Sequence, residues 1–414
     1  MKTESILNKN LRDNNARLLI LFIFWPFLGF LLALKNFQNK FNQKIILIFF
    51  VLFGLLFYVN PLQDGQRRAD GLKEAYNQPF EMAFNAFDNL YKESLDFIEP
   101  LIVFTVSRFT DYHGVLFGVY AFIFGGLMIY YLNRVHQHYL KFPNINALIF
   151  IILLIFVNPI NGINGFRMWT AAWIFSVGVI NYLHEAKWRH ILFASIAMFL
   201  HFSYGPLIVL LFIYKLLGNR ALLFAILAII TFFIAELNIK QVQSIAKLIS
   251  PATETKISAY TNEDYIEKVA LLKNQSTWFV TLNQKGILYY TVSILIIIYV
   301  RTKGVFKNRV TDNFFSFTLL ILSYANISSL LPSGGRFYTI FNIFVFTTGV
   351  LYYVYELKSK KLELINWIGL PLVILFVIFS FRLLTDPASL YLFGPSFFMP
   401  IAFFENTPLQ SILF

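Results

Sequence analysis

The chain has no cysteine and few charged residues. Of its 414 residues, 14% are Asp, Glu, Lys or Arg, against roughly 25% in soluble domains. Without cysteine, disulfides, thiolate catalysis and cysteine-ligated metal centres are excluded. Because 57% of the residues are hydrophobic and the mean hydropathy is +0.63, the composition also excludes an ordinary soluble domain and predicts a membrane protein.

Long apolar runs occupy much of the chain. The clearest are Leu18–Leu34, Ile45–Val59, Ala147–Val157, Ala221–Ile234, Ile287–Val300 and Leu364–Leu384. At ~1.5 Å rise per residue, helices of these lengths cross most or all of a ~30 Å hydrocarbon core. Backbone groups in lipid must be satisfied within their own segment, and the runs lack the alternation of barrel strands. The predicted fold is an all-α, polytopic membrane protein of about 10–12 transmembrane helices.

The net charge of +12 comes from basic residues that mostly flank these runs. Orientation and anionic headgroups explain this excess, so no nucleic-acid partner is expected. Short basic loops favour the cytoplasm, and they lie at 35–44, 134–141, 187–189, 215–220, 301–309 and 358–361. The segments then expected on the outward face are 62–112, 158–167, 201–206, 238–285, 332–336 and the apolar tail 385–414.

The remaining boundaries follow from the same pattern. Residues 1–17 form a polar N-terminal segment, and residues 18–384 form a single transmembrane domain. Alternation places the N-terminal segment outside, although its four basic residues argue for the inside. The apolar run after it lacks a small-residue cleavage site, so it is interpreted as an uncleaved first span rather than a signal peptide.

Two features predict departures from plain spans. The stretch from Trp188 to Lys215 is interrupted by His-Phe-Ser-Tyr-Gly-Pro at 201–206, and basic residues lie near both of its ends. This pattern predicts two short helices that rise to the outer leaflet and return, with the break buried against protein. On the outward face, apolar residues recur at helical spacing between Phe80 and Tyr91, which predicts an interfacial amphipathic helix.

Four cationic or ionisable residues sit in or beside apolar runs: Arg108, Arg167, His201 and Arg336. Charges cost several kcal/mol in hydrocarbon unless they face a cavity or a partner, so each is a candidate functional residue. Arg167 and Arg336 begin helices, where a cation opposes the helix dipole unless an anion neutralises both. The structural alternatives are arginines that reach the headgroups and a histidine bonded to a neighbouring carbonyl.

Other polar residues assigned to the outward face complete the candidate site. Candidate catalytic residues are Arg167, His201, Arg336 and Asp70, and candidate substrate-binding residues are Asp64, Arg67, Arg68, Glu99, Arg108, Asn164, Tyr204 and Tyr338. Cations suit a diphosphate, whereas amides, carboxylates and aromatic rings suit sugars. The carboxylates Asp64, Asp70, Glu99 and Asp111 are the candidates for a general base. No metal is expected, because His201 has no second ligand at i+3 or i+4.

Short motifs in this order resemble those of a known family. They are Glu-Pro at 99–100, Asn-Pro-Ile-Asn-Gly-Ile-Asn-Gly-Phe-Arg-Met-Trp at 158–169, His-Phe-Ser at 201–203 and Gly-Arg-Phe-Tyr at 335–338. The chain resembles the EpsG family of bacterial polysaccharide polymerases, relatives of the Wzy-type O-antigen polymerases. The resemblance carries the family's arginine, histidine and arginine over to Arg167, His201 and Arg336. Its outward acidic segment corresponds to Asp64 or Asp70.

The resemblance implies a membrane glycosyltransferase of the bacterial inner membrane whose site faces the periplasm or outside. It would polymerise surface polysaccharide, such as exopolysaccharide, capsule or O-antigen, by moving a glycan from undecaprenyl diphosphate to a sugar hydroxyl of another lipid-linked repeat unit. Cationic side chains would replace a metal, and no cofactor is expected. Undecaprenyl-diphosphate-linked oligosaccharides, membrane lipids and a chain-length regulator protein are the expected partners. The alternatives are a transporter or flippase of the same lipid-linked oligosaccharide and a membrane glycan ligase.

Overall fold

The computed structural model describes residues 14–61, 63–82, 96–234 and 278–413, with isolated positions at 84 and between 241 and 271. The described chain consists of helices and turns, and its only β-type pairing is an isolated bridge between Ser389 and Pro408. The predicted all-α class is therefore confirmed. The interfacial helix expected at 80–91 and the loop expected at 238–285 lie mostly outside the described residues. The end of that loop, from Trp278, already belongs to a helix.

The helices are numbered in chain order. They are α1 (Asn14–Phe24), α2 (Pro26–Lys35), α3 (Lys40–Leu55), α4 (Asp64–Asn77), α5 (Ile98–Ser107), α6 (His113–Tyr139), α7 (Ile145–Val157), α8 (Phe166–Glu185), α9 (Trp188–Leu200), α10 (Gly205–Leu217), α11 (Ala221–Phe232), α12 (Trp278–Thr302), α13 (Arg309–Ser328), α14 (Phe337–Leu351), α15 (Leu364–Thr385) and the short α16 (Gln410–Leu413). A π-helical turn, Tyr352–Leu357, extends α14.

Five helical segments of the described chain are long and apolar enough to cross a membrane. They are His113–Tyr139, Ile145–Glu185, Trp278–Thr302, Gly334–Leu357 and Leu364–Thr385. Six further apolar helices have 10–17 residues. The chain is thus a multi-pass helical membrane protein, and the number of about 10–12 crossings stays a prediction.

Small residues let the central helices approach closely. A Cβ atom added to Gly54 of α3 would lie 2.3 Å from the carbonyl oxygen of Phe117 on α6. Likewise, a Cβ atom on Gly178 of α8 would lie 2.6 Å from the Cβ atom of Ala194 on α9. Contacts this short need glycine, because a larger side chain would overlap the facing helix. Such close approach stabilises helix association in lipid.

The first apolar run, Leu18–Leu34, is not one span. The helix breaks at Trp25, and Gly29 of α2 folds back on α1 so that an added Cβ atom would lie 2.7 Å from the Cα atom of Phe22. Asn39, in the first basic loop, donates a hydrogen bond to the side chain of Asn15 at 3.4 Å. The described start of the chain therefore lies at the same end as the first basic loop and not at the opposite end, where alternation places it, and its side of the membrane stays a prediction.

All six basic loops meet at one end of the bundle, which we call the basic end. The contacts that connect them join Phe37 with His136, Arg134 with Glu185, Lys141 with Tyr355, Lys215 with Trp188, Arg301 with Glu363 and Lys307 with Glu356. The outward segments that the structure describes at 62–112, 158–167, 201–206 and from 385 meet at the other end, which we call the polar end. There, contacts join Tyr58 with Pro387, Gln63 with Asn164, Leu55 with Tyr112, Asp96 with Phe202 and Asn161 with Leu383.

The interrupted stretch folds as predicted. Helix α9 ends at Leu200, a 3₁₀ turn spans Phe202–Tyr204, and α10 returns toward the basic end. The Lys215 ammonium lies 3.5 Å from the ring centre of Trp188, so the start of α9 and the end of α10 lie side by side at the basic end. His201 and Tyr204 are buried. The break is therefore enclosed by protein, as a break at membrane depth requires.

Candidate active site

Four segments at the polar end contribute to one buried group of charges, which we call the Glu99 cluster. Its members are Arg68, Asp96, Glu99, Tyr120 and Arg167. These residues come from α4, the start of α5, α6 and the start of α8. The cluster thus connects elements that are up to 99 positions apart in sequence, from Arg68 to Arg167.

Glu99 is the centre of the cluster. Its Oε1 atom accepts hydrogen bonds from Arg68 Nε at 2.5 Å and from the Tyr120 hydroxyl at 3.2 Å. Its Oε2 atom lies 3.1 Å from Arg167 Nε, and Arg167 Nη1 lies 3.5 Å from Asp96 Oδ2. Both carboxylates therefore hold the same guanidinium, which fixes its orientation.

Burial within the cluster is uneven. The side chains of Asp96, Arg68 and Glu99 are 3%, 7% and 11% exposed, whereas that of Arg167 is 28% exposed. Charges taken out of water need partners, and here two cations balance two anions. Arg167 is the member that keeps an open side, so it is the one that can contact a ligand.

Local sequence explains how these side chains reach the cluster. In α4, Gly65, Arg68 and Leu72 share one buried helical face, as residues spaced by three and four do. Glu99 lies in the first turn of α5, where a carboxylate is favoured by the helix dipole. The Tyr120 ring stacks on Phe166, the first residue of α8, with centroids 3.8 Å apart. Arg167 is therefore anchored by the residue that precedes it.

Arg167 is the second residue of α8, after a 3₁₀ turn formed by Ile160–Gly165. The sequence predicts that an anion must offset the cation at this helix start. Asp96 and Glu99 supply that negative charge from within the chain. An external anion is thus not needed to stabilise the folded state, although the open side of Arg167 can still bind one.

The break between α9 and α10 is tied to the cluster. Asp96 Oδ1 accepts a hydrogen bond from the backbone N–H of Phe202 at 2.7 Å. The Nδ1 atom of His201 accepts from the backbone N–H of Ser203 at 3.3 Å and lies 2.8 Å from the Ser203 hydroxyl. An accepting Nδ1 leaves the proton of the neutral ring on Nε2. His201 can therefore offer an N–H donor.

Tyr204 connects the starts of two helices. Its hydroxyl donates to the carbonyl of Met168 at 2.9 Å, and its ring packs 6.3 Å from that of Phe337. Phe337 directly follows Arg336, which is exposed. Arg167, His201 and Arg336 therefore lie on segments that are in contact at the polar end.

Glycine shapes the turn before Arg336. A Cβ atom on Gly334 would lie 1.7 Å from the carbonyl oxygen of Ser328, so only glycine fits there. Gly335 has open space beside it. Ser333, which precedes this turn, adopts a left-handed conformation with φ 62° and forms no capping hydrogen bond through its side chain.

Comparison with known proteins identifies the chain. The model of the EpsG family matches residues 73–394, which is more than half of the sequence. The chain belongs to the EpsG family. This membership indicates a function of the polysaccharide-polymerase type. No curated protein and no solved structure matches.

Most of the candidate site lies within the matched part of this EpsG-family protein. Asp96, Glu99, Tyr120, Arg167, His201, Tyr204, Arg336 and Tyr338 are inside residues 73–394. Asp64, Arg67, Arg68 and Asp70 precede them. The cluster therefore joins a residue outside the family match, Arg68, to residues within it.

The other candidate residues of the EpsG-family protein lie apart from the cluster or have structural partners. Arg67 pairs with Asp64 on the exposed side of α4 at 3.3 Å. Asp70 is exposed and accepts a hydrogen bond from Gln66 at 2.7 Å. The structure thus does not bring these three residues into the Glu99 cluster.

Arg108 and Tyr338 are engaged within the bundle. The Arg108 guanidinium donates to the carbonyl oxygens of Ala75 and Gln78 at the end of α4, where a cation is favoured. The Tyr338 hydroxyl donates to Asn326 Oδ1 at 3.1 Å. Asn164 donates to Gln63 at 2.7 Å. Arg108 and Asn164 therefore position α4 against the rest of the polar end.

Sequence reasoning missed Asp96 and Tyr120. Asp96 precedes Glu99 by three residues, which is the spacing of one helical face, and this was the available signal. Tyr120 has the pattern of an ordinary apolar helix residue, so no signal marks it. Among the described residues, no group of three or more His, Asp or Glu side chains is placed to hold a metal ion, and metal-independent chemistry stays a prediction.

Proposed function

We propose that this EpsG-family protein polymerises lipid-linked oligosaccharides. It would transfer a glycan from undecaprenyl diphosphate to a sugar hydroxyl of a second lipid-linked repeat unit. The site would lie at the polar end, facing the outside of the bacterial inner membrane, because the basic loops at the other end favour the cytoplasm. The observation that carries the proposal is the open guanidinium of Arg167, held by two buried carboxylates.

The reaction breaks the bond between the anomeric carbon and the diphosphate oxygen, and both bonding electrons leave with the diphosphate. The acceptor hydroxyl oxygen forms the new bond to that carbon, and its proton passes to a base. Arg167 would stabilise the negative charge that grows on the leaving oxygen, since donors fixed in advance are effective where water is scarce. Holding two lipid-anchored substrates together supplies a further large part of the rate.

The other residues have roles that follow from their surroundings. Arg336 is exposed beside the open flank of Gly335 and would supply a second cation. His201 would be a further donor to the diphosphate, from the break that Asp96 connects to the cluster. Asp70 lies outside the cluster on the exposed side of α4 and accepts one hydrogen bond, so it would take the proton of an acceptor sugar that extends from Arg167 to that side. Glu99 is occupied by three donors and acts as a positioning residue.

The test is polymer formation by purified protein in detergent with lipid-linked repeat units. Detergent solution has no separate compartments, so a flippase would yield no product there, whereas a polymerase would yield a ladder of glycans. Arg167→Ala and Arg336→Ala should leave single repeat units, and the matched control Lys358→Ala at the basic end should give the wild-type ladder. Wild-type chain lengths from both site variants would reject the site. If membranes that contain wild-type protein form polymer but yield no ladder once they are solubilised in detergent, the proposal that the protein is an enzyme is rejected.

A further inference from the structure

A cavity of about 570 Å³ opens at the basic end, far along the helices from the Glu99 cluster. It lies between the turn that precedes α11, the C-terminal end of α12 and the first turn of α13. Its lining residues include Arg220, Leu222, Leu223, Tyr299, Lys303 and Asp312. A cavity of this size can hold a phosphate headgroup.

The cavity carries more positive than negative charge. Arg220 and Lys303 are exposed cations on its wall, and Asp312 is the one carboxylate that lines it. Arg220 Nε donates to the carbonyl of Leu217 at 3.3 Å, which holds its side chain against the end of α10. Lys303 and Gly304 both have positive φ, 53° and 73°, so the chain turns sharply after α12 and presents Lys303 there. The balance of one positive charge suits a phosphodiester, which carries one negative charge.

The cavity continues into an apolar surface. Leu222 and Leu223 line it and are also exposed, and Ile226, Ile229 and Ile230 extend the same exposed side along α11. In a membrane protein, an exposed apolar helix surface contacts acyl chains. A ligand that fits both parts therefore has a phosphate headgroup and hydrocarbon chains, which describes a phospholipid and not a free anion.

We propose that this cavity is a binding site for an anionic phospholipid, with Arg220 and Lys303 on the phosphodiester and the acyl chains along α11. Basic pockets between transmembrane helices on the cytoplasmic side bind acidic lipid headgroups. The side of the membrane follows from the orientation proposed above, but the binding chemistry does not depend on it. The site is separate from the Glu99 cluster, so the proposal can fail without affecting the proposed reaction.

The experiment is native mass spectrometry of delipidated full-length protein titrated with phosphatidylglycerol or phosphatidylcholine. Phosphatidylglycerol should bind more tightly. The variant Arg220→Gln/Lys303→Gln should weaken it by about tenfold to thirtyfold, since each basic residue contributes on the order of a factor of five near an anionic surface. Lys358→Gln/Lys360→Gln removes the same charge from the same end but outside the cavity, and should leave the affinity within about twofold.

A second variant and a competitor complete the test. Asp312→Asn removes the opposing charge and should tighten phosphatidylglycerol binding a few-fold. Glycerol phosphate should compete only at far higher concentration, because it has no acyl chains. Equal affinity for both lipids, equal loss in the control pair, unchanged or weaker binding by Asp312→Asn, or glycerol phosphate that binds as well as the lipid would each overturn the proposal.

Discussion

Arg68 and Arg167 both bond to Glu99 but should respond differently to the same substitution, arginine to glutamine. Arg68 is 7% exposed and also donates to the carbonyl of Asp64 at 3.1 Å. Removing one member of a buried ion pair costs about 3–5 kcal/mol, because the remaining charge loses its partner. Glu99 keeps Arg167 and Tyr120, so the lower end, about 3 kcal/mol, is expected for Arg68→Gln.

Arg167→Gln should be milder for stability and more severe for activity. Arg167→Gln removes the contacts to both Glu99 and Asp96. Glu99 keeps Arg68, Asp96 keeps the backbone N–H of Phe202, and water reaches the 28% exposed side chain, so a cost of about 1.5 kcal/mol is expected, the low end for a hydrogen bond to a charged group. The polymerisation rate should fall about 10²–10³-fold, since this is the usual effect of removing a donor to developing negative charge. Arg68→Gln should retain most of the rate per folded molecule, because Arg68 does not face the ligand.

The assay compares two readouts on the same detergent-purified samples. Stability is measured as thermal unfolding, detected by the loss of the folded peak in size-exclusion chromatography after heating. Glycan ladders, normalised to the folded fraction, report activity. The expected result is a crossover, with Arg68→Gln the less stable variant and Arg167→Gln the less active one. The reasoning is refuted if Arg68→Gln melts like the wild type, or if Arg167→Gln polymerises at the wild-type rate per folded molecule.

Three further predictions test packing, the break and orientation. Gly178→Ala should destabilise the fold by about 1–3 kcal/mol, because its Cβ atom would meet Ala194. Gly126→Ala lies on an open side of its helix and should stabilise the fold by about 0.5–1 kcal/mol. Equal melting temperatures of the two variants would contradict this. His201→Asn keeps an acceptor near Nδ1 but lacks Nε2, so it should melt like the wild type with polymer formed about 10²-fold more slowly; full activity would remove His201 from the site. In this cysteine-free chain, Lys73→Cys should react with an impermeant thiol reagent on intact cells and Lys360→Cys only after lysis; the reverse pattern would invert the proposed orientation.

Charge patterning predicted the parts of the fold that depend on it. The six basic loops were placed together because lysine and arginine in short loops follow membrane orientation, and the structure brings them to one end. The pattern also predicts the break at 201–206, because Gly205-Pro206 interrupts a helix. The basic residues at both ends of the stretch favour the same side of the membrane, so the chain must turn back between them. Both arguments use local sequence alone, which is why they succeed.

The first helical hairpin shows where such arguments fail. Hydropathy treats Leu18–Leu34 as one run, since Trp25 and Pro26 hardly change the average. The structure breaks there, because Pro26 begins a new helix and Gly29 allows it to fold back on Phe22. Pro26 is a local signal for a helix start that an averaged hydropathy does not register, whereas the fold-back depends on tertiary contact.

The candidate site was only partly predictable for a related reason. The arginines were found because a charge in an apolar run is conspicuous. Their partners were not all found, since Asp96 follows a polar segment in which acidic residues usually face water. Pairing between Asp96, Glu99 and Arg167 depends on how α5 and α8 pack against each other, and that packing cannot be deduced from a single sequence.

The neutrality of the Glu99 cluster bears on how a polymerase of this kind would use its arginines. A site with unpaired cations would bind the diphosphate tightly before and after reaction, which lowers the rate of release without helping the chemical step. Here Asp96 and Glu99 balance the charge of Arg68 and Arg167, so the attraction of the cluster for the intact donor would be moderate and Arg336 would add the only net positive charge among the proposed cations. In the proposed reaction the leaving diphosphate would gain one negative charge, and the partly exposed guanidinium of Arg167 is already held in place by its two carboxylates. Stabilisation then grows with that charge, which is the condition for catalysis.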